Sequence, residues 1–174
     1  MTQPSAPRRA DLSHIDTWLF DLDNTLYSAT SRLFDQIDVR IGEFIAQLFD
    51  VDSVEARKIQ KSYFRQHGTT LRGLMDEHDM APEKFLEYVH DIDFSSLEPR
   101  DGLDAALSAL PGRKLIFTNA DMPYSRKILA RLGVAHHFEH IYDIVAANYV
   151  PKPFPPAYDI LIKRHDVTPE STIF

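Results

Sequence analysis

Thr17-Trp18-Leu19-Phe20-Asp21-Leu22-Asp23-Asn24-Thr25 reads as a short, β-favouring apolar run that stops abruptly in acid. Runs of this kind form strands buried on both faces of a parallel sheet. Asp21 stands where the run ends, and in open α/β sheets ligands bind outside the carboxyl ends of the strands. Asp21 and Asp23 lie two residues apart, so on an extended chain they point to the same side. Two like charges that close are costly unless a cation or a proton compensates. The pair therefore predicts one shared cation or one shared substrate. The competing interpretation is a solvated acidic strand end that caps the following turn.

The same rhythm recurs downstream. Lys114-Leu115-Ile116-Phe117-Thr118 follows the turn signal Pro111-Gly112 and ends at Asn119. Ile141-Tyr142-Asp143-Ile144-Val145 is a third such run, and Ser171-Thr172-Ile173-Phe174 begins a fourth. Between them, Leu103 to Leu110, Met122 to Leu132 and Tyr158 to Lys163 carry helical periodicity. Gly133 stops the second of these, and Pro155 and Pro156 start the third. Strands alternating with helices predict an α/β fold, a Rossmann-like parallel sheet with helices on both faces.

Residues 29 to 97 break the alternation. Leu33, Phe34, Ile37, Ile41, Phe44, Ile45 and Leu48 recur at three- and four-residue spacing, the pattern of an amphipathic helix. Val54 to Gln66 and Pro82 to His90 predict two more helices. The expected organisation is a flexible tail over 1–10, a core formed by 11–28 and 98–174, and an inserted all-helical cap over 29–97.

Composition bounds the function. The 174 residues carry 19 Lys and Arg against 26 Asp and Glu, a net charge of −7. That sign disfavours a nucleic-acid polymer as partner, because gripping its backbone requires neutralising phosphates. A small phosphorylated metabolite needs only one or two local cations and stays open. No cysteine is present, so disulfides, thiolate metal sites and cysteine nucleophiles are excluded. No apolar run approaches the roughly 20 residues that span a bilayer. No apolar stretch follows the two N-terminal arginines as a secretory signal requires. The expectation is a cytoplasmic chain with no membrane partner. Oligomeric state is not legible.

Two further pieces of sequence carry chemistry. Thr118 and Asn119 place a hydroxyl and an amide at the end of the second strand, groups that can hydrogen-bond phosphoryl oxygens without adding charge. A turn that merely ends the strand would look the same. Lys152 sits between Pro151 and Pro153, whose rings restrict the backbone and aim one ammonium.

Taken in order, Phe20-Asp-Leu-Asp-Asn-Thr-Leu-Tyr27, Phe117-Thr-Asn-Ala120 and Pro151-Lys-Pro153 resemble the first three motifs of the haloacid dehalogenase superfamily. The resemblance runs from Ile15 onward, and the insert is similar to the helical cap of one branch. Within it, Gly68-Thr-Thr-Leu-Arg-Gly-Leu74 and Val89-His-Asp-Ile-Asp-Phe94 are similar to the pyrimidine 5′-nucleotidase subgroup. From the residues alone, the first segment is a glycine-bounded polar turn whose Thr70 and Arg72 can meet a ligand. The second places His90 near the hinge that returns to the core. His67, His78, His136, His137 and His140 show no helix-face pairing with carboxylates that would suggest zinc.

The resemblance implies a two-step phosphoryl transfer: Asp21 as nucleophile, Asp23 as general acid and then base, and Thr118, Asn119 and Lys152 around the transferring group. It implies Mg²⁺ on the Asp21 carboxylate and the Asp23 backbone carbonyl. It also places an acidic fourth motif after Ile173-Phe174, for which Asp159, Asp166 and Glu170 lie too early. The implied activity is a Mg²⁺-dependent phosphomonoester hydrolase for a pyrimidine nucleoside 5′-monophosphate. The alternatives are a truncated family member that binds phosphate with weak or no turnover, and a phosphatase or phosphomutase for another small metabolite.

Overall fold

A computed structural model describes residues 11–174. The tail expected over 1–10 lies outside the described residues. Strand β1 (Thr17–Phe20) is followed by four helices, α1 (Leu33–Phe49), α2 (Ser53–His67), α3 (Thr70–His78) and α4 (Pro82–Val89). The chain then alternates through α5 (Asp101–Ala109), β2 (Arg113–Phe117), α6 (Met122–Leu132), β3 (His140–Tyr142), α7 (Pro155–His165) and β4 (Thr172–Ile173). The strands form one sheet in the order β3-β2-β1-β4, every neighbouring pair parallel. No helix among the described residues is long and apolar enough to cross a membrane.

Strand alternation divides the core. Leu19, Leu115 and Phe117 turn to one face, where Ala157 and Leu161 of α7 cover them. Ile116 turns to the other, against Ile128, Leu129 and Leu132 of α6 and Leu107 of α5. Burial on both faces is what makes these strands read as continuous apolar runs. The second cluster continues through Leu22, Leu26 and Tyr27 into Leu33, Ile37, Leu74, Phe85 and Val89 of the inserted helices. A shared apolar cluster thus seats the insert at the end of the sheet that carries Asp21.

Local signals set the helix ends. Asp52 accepts the amides of Val54 and Glu55 and starts α2, and Asp121 accepts that of Tyr124 and starts α6. Gly133, in the left-handed region, ends α6.

Two expectations need correction. The segment Gly68 to Leu74 is not a turn: Gly68, at φ +83°, ends α2, Thr69 caps α3 through the Arg72 amide, and the rest is helix. Its second glycine, Gly73, is where α3 meets α2, since a Cβ there would lie 2.6 Å from Tyr63. The third strand stops at Tyr142 instead of Val145. Asp143 accepts the amides of Met122 and Ala146, which turns the chain out of the sheet.

Candidate active site

β1 ends at the floor of the site. Leu22 is fully buried, which fixes the alternation and leaves Asp21 and Asp23 on the opposite side. Asn24 adopts a left-handed conformation, and the Leu22 carbonyl accepts the amides of Thr25 and Leu26, so the chain turns directly after the pair. Phe20 pairs with Ile116, so Asp21 and Thr118 leave neighbouring strands at the same edge.

Asp21 is held at both oxygens. Lys152 Nζ donates to Oδ1 at 2.7 Å, and Thr25 Oγ1 donates to Oδ2 at 2.9 Å. Lys152 also donates to the Phe117 carbonyl at 2.6 Å and lies 5.0 Å from the Phe117 ring centroid. The lysine is thereby fixed to the end of β2. The peptide between it and Pro153 is cis. Asn119 clamps the same residue, accepting the Lys152 amide at 2.8 Å and donating to its carbonyl at 3.3 Å. Asn119 is thus committed to aiming Lys152. Thr118 is buried, and its oxygen accepts the Ala120 amide while its own proton stays available.

Asp23 sits in a different environment. Tyr27 and Tyr124 both donate to its Oδ1, at 2.6 and 2.7 Å. Oδ2 receives no hydrogen bond among the described residues. Burial raises the Asp23 pKa above the usual carboxylate value. The two tyrosine hydrogen bonds pull against that rise, the Asp21 charge adds to it, and His90 opposes it. Burial and the neighbouring Asp23 also push both tyrosine hydroxyls far up, so they remain donors. The His90 ring stacks on Tyr124 with centroids 4.3 Å apart, and its Nδ1 lies 3.1 Å from Asp121 Oδ1 without hydrogen-bond alignment.

The donor set suits a hard cation. The Asp21 carboxylate is about one-third exposed, and the Asp23 carbonyl accepts no hydrogen bond among the described residues. Carboxylate and carbonyl oxygens are what Mg²⁺ prefers. Asp159, Asp166 and Glu170 belong to α7, its C-cap and the turn before β4, and join no part of this cluster.

The structure brings Asp21, Asp23, Thr118, Asn119 and Lys152 to one sheet edge. It does not join Thr70 or Arg72 to them. Thr70 is buried and donates to the Gln60 carbonyl of α2, while Arg72 pairs with Asp76 one helical turn on. The insert approaches the edge elsewhere, where Gly68 packs directly against Phe154. A cleft of about 510 Å³ opens on Asp21 and Thr25 beside Phe174. A larger one of about 1300 Å³ runs between α4 and α6 past His90, Asp121 and Tyr124.

Tyr124 becomes a functional candidate only in three dimensions. Tyr124 is 101 residues from Asp23 in sequence, and nothing local marks it. Tyr27 was readable as part of the first motif, although its contact with Asp23 was not.

A family model described as haloacid dehalogenase-like hydrolase matches residues 15–174. Phosphate metabolism protein 8 of Saccharomyces cerevisiae is 26% identical over 159 residues, covering 82% of this chain and 49% of that protein. The chain thus spans about half the length of this curated relative. Among solved structures, the HAD phosphatase of Thermococcus onnurineus superposes with a TM-score of 0.55 at 18% identity, covering 91% of this chain and 75% of that one. YfnB of Bacillus subtilis, a HAD-type hydrolase solved with magnesium bound, gives 0.53 at 16%, covering 91% and 76%. With the family model accounting for the sequence from Ile15 to Phe174, the protein belongs to the haloacid dehalogenase-like hydrolases.

Proposed function

We propose that this protein is a Mg²⁺-dependent phosphomonoester hydrolase that works through an aspartyl-phosphate, with residues 11–28 and 98–174 as its core and 29–97 as its cap. One observation carries the reading: Asp21, anchored between Lys152 and Thr25, lies beside a carboxyl that burial holds toward its protonated form. A carboxylate anchored by a lysine beside a carboxyl that burial keeps toward its protonated form divides the roles of nucleophile and acid.

In the first step Asp21 attacks phosphorus and the ester P–O bond breaks. The leaving alkoxide takes the proton from Asp23, whose Oδ2 is the oxygen the tyrosines leave free. In the second step Asp23, now ionised, removes a proton from water. The resulting hydroxide attacks the aspartyl-phosphate, releasing inorganic phosphate and restoring Asp21. Thr118 donates its hydroxyl proton to a phosphoryl oxygen, and Lys152 offsets the charge that gathers there. Asn119 serves by holding Lys152 in place. Mg²⁺ on the Asp21 carboxylate and the Asp23 carbonyl would supply further neutralisation of the phosphoryl charge.

The substrate proposed is a pyrimidine nucleoside 5′-monophosphate. The resemblance of Gly68–Leu74 and Val89–Phe94 to that subgroup supports it. Arg72 would reach the leaving group only by exchanging Asp76 for it.

A phosphate-release assay over nucleoside monophosphates and sugar phosphates, with and without Mg²⁺, tests the whole. Lys152→Ala is expected to lower turnover of every substrate about 10²–10³-fold, and Arg72→Ala to lower pyrimidine nucleotides more than the rest. Turnover that survives Asp21→Asn would remove the nucleophile. Equal losses across the panel for Arg72→Ala would remove the specificity role.

A further inference from the structure

Away from the strand-end cluster, two adjacent histidines fold onto one carboxylate. His136 and His137 form the 3-10 turn after α6, and Asp104 lies on α5. His137 Nε2 is 2.7 Å from Asp104 Oδ1, and His136 Nε2 is 3.3 Å from the same oxygen. The two rings lie 4.0 Å apart and tilted by 40°, and the three potential ligand atoms all fall within 4.8 Å of one another. None of the three residues hydrogen-bonds to the Asp21–Lys152 group.

We propose that Asp104, His136 and His137 form a binding site for a borderline transition-metal ion such as Zn²⁺. Tetrahedral zinc with bonds of about 2.0–2.1 Å sets neighbouring ligand atoms about 3.3–3.4 Å apart. The His136–Asp104 distance of 3.3 Å already matches that edge. The His137–Asp104 pair sits at hydrogen-bond length and needs to open by only about 0.6 Å. A plain His137–Asp104 hydrogen bond accounts for one histidine but not the other. His136 is 65% exposed and free to point into water, yet it returns to the oxygen that His137 already occupies. Two imidazoles and a carboxylate select zinc, nickel or copper over Mg²⁺, which prefers an all-oxygen set. The exposure of His136 leaves room for a water as fourth ligand.

The bound ion would tie the turn between α6 and β3 to α5, two segments with no backbone hydrogen bond between them among the described residues. Its effect is stabilisation by mass action, since the unfolded chain does not bring these ligands together.

The test titrates Zn²⁺ into the 174-residue chain carrying Asp21→Asn, so that the strand-end carboxylate contributes nothing, and follows heat of binding and thermal midpoint. One equivalent should bind saturably and raise the midpoint. His136→Ala, which removes an exposed ring and leaves the His137–Asp104 bond intact, should weaken binding at least about tenfold without changing the metal-free midpoint. Asp104→Asn should weaken it at least as much. The site is refuted by the absence of saturable binding, by Mg²⁺ binding as tightly as Zn²⁺, or by affinity unchanged in both variants.

Discussion

Replacing Tyr124 by Phe removes one of the two hydroxyls that hold Asp23 while leaving the ring, and its stack with His90, in place. The hydroxyl donates at 2.7 Å to Asp23 Oδ1, and Tyr27 donates to the same atom at 2.6 Å. Both bonds favour the ionised carboxylate and oppose the burial that raises its pKa. A hydrogen bond to a charged group contributes about 1.5–3 kcal/mol net, and about 1.36 kcal/mol corresponds to one pH unit of titration. Losing one donor should therefore raise the Asp23 pKa further, by roughly 1–2 pH units if nothing compensates. Tyr27 still donates, so the lower figure is the expectation.

The assay is kcat/KM against pH for an alkyl phosphate, whose poor leaving group needs the Asp23 proton. Activity falls at high pH as Asp23 loses that proton, and in Tyr124→Phe this limb should move about one unit upward. With an aryl phosphate, whose leaving group needs little protonation, the limb should flatten in both proteins. A limb that stays put, or moves to lower pH, in a variant with wild-type thermal stability would refute the role assigned to Tyr124 and the assignment of the limb to Asp23.

Two further outcomes are expected. Because the folded-state pKa of Asp23 is raised above 3.8, the unfolded chain binds fewer protons between that value and the folded pKa, and stability falls as pH rises through this window. Asp23→Asn should accordingly raise the thermal midpoint near neutrality in metal-free buffer, with the gain shrinking as pH drops toward 3.8; a gain independent of pH would contradict the burial argument. Leu22→Ala removes a fully buried side chain between the two aspartates. It should cost about 2–5 kcal/mol, a fall of roughly 5–15 °C at this chain length. Differential scanning calorimetry showing a fall under about 2 °C would mean that the site floor is not anchored by packing.

Much of the sheet was legible because burial on both faces writes itself into adjacent apolar residues. β1 appears at the predicted residues, and α6 runs from Met122 to Leu132 with Gly133 closing it. Helix α3 was hidden because Gly68 and Gly73 look like the two ends of a loop. In the molecule Gly68 ends one helix and Gly73 lets two helices meet. That misreading carried Thr70 and Arg72 toward a ligand, whereas helical spacing gives Thr70 to Gln60 and Arg72 to Asp76.

By itself the sequence determined which residues crowd the strand ends, since a strand's period of two puts Asp21, Asp23 and Thr118 at the carboxyl ends of parallel strands. Lys152, in the loop beyond β3, reaches them only through its tertiary clamp by Asn119. What each does was decided by tertiary structure. The two aspartates are chemically identical in sequence. One becomes the partner of a lysine 131 positions away, and the other is buried against a tyrosine 101 positions away. The same holds for Asp104, which meets His136 and His137 only because α5 and the turn after α6 pack together. Titration and metal affinity depend on local dielectric and on charges a few ångströms off, and those are set by whatever the fold brings near, not by what precedes or follows a residue along the chain.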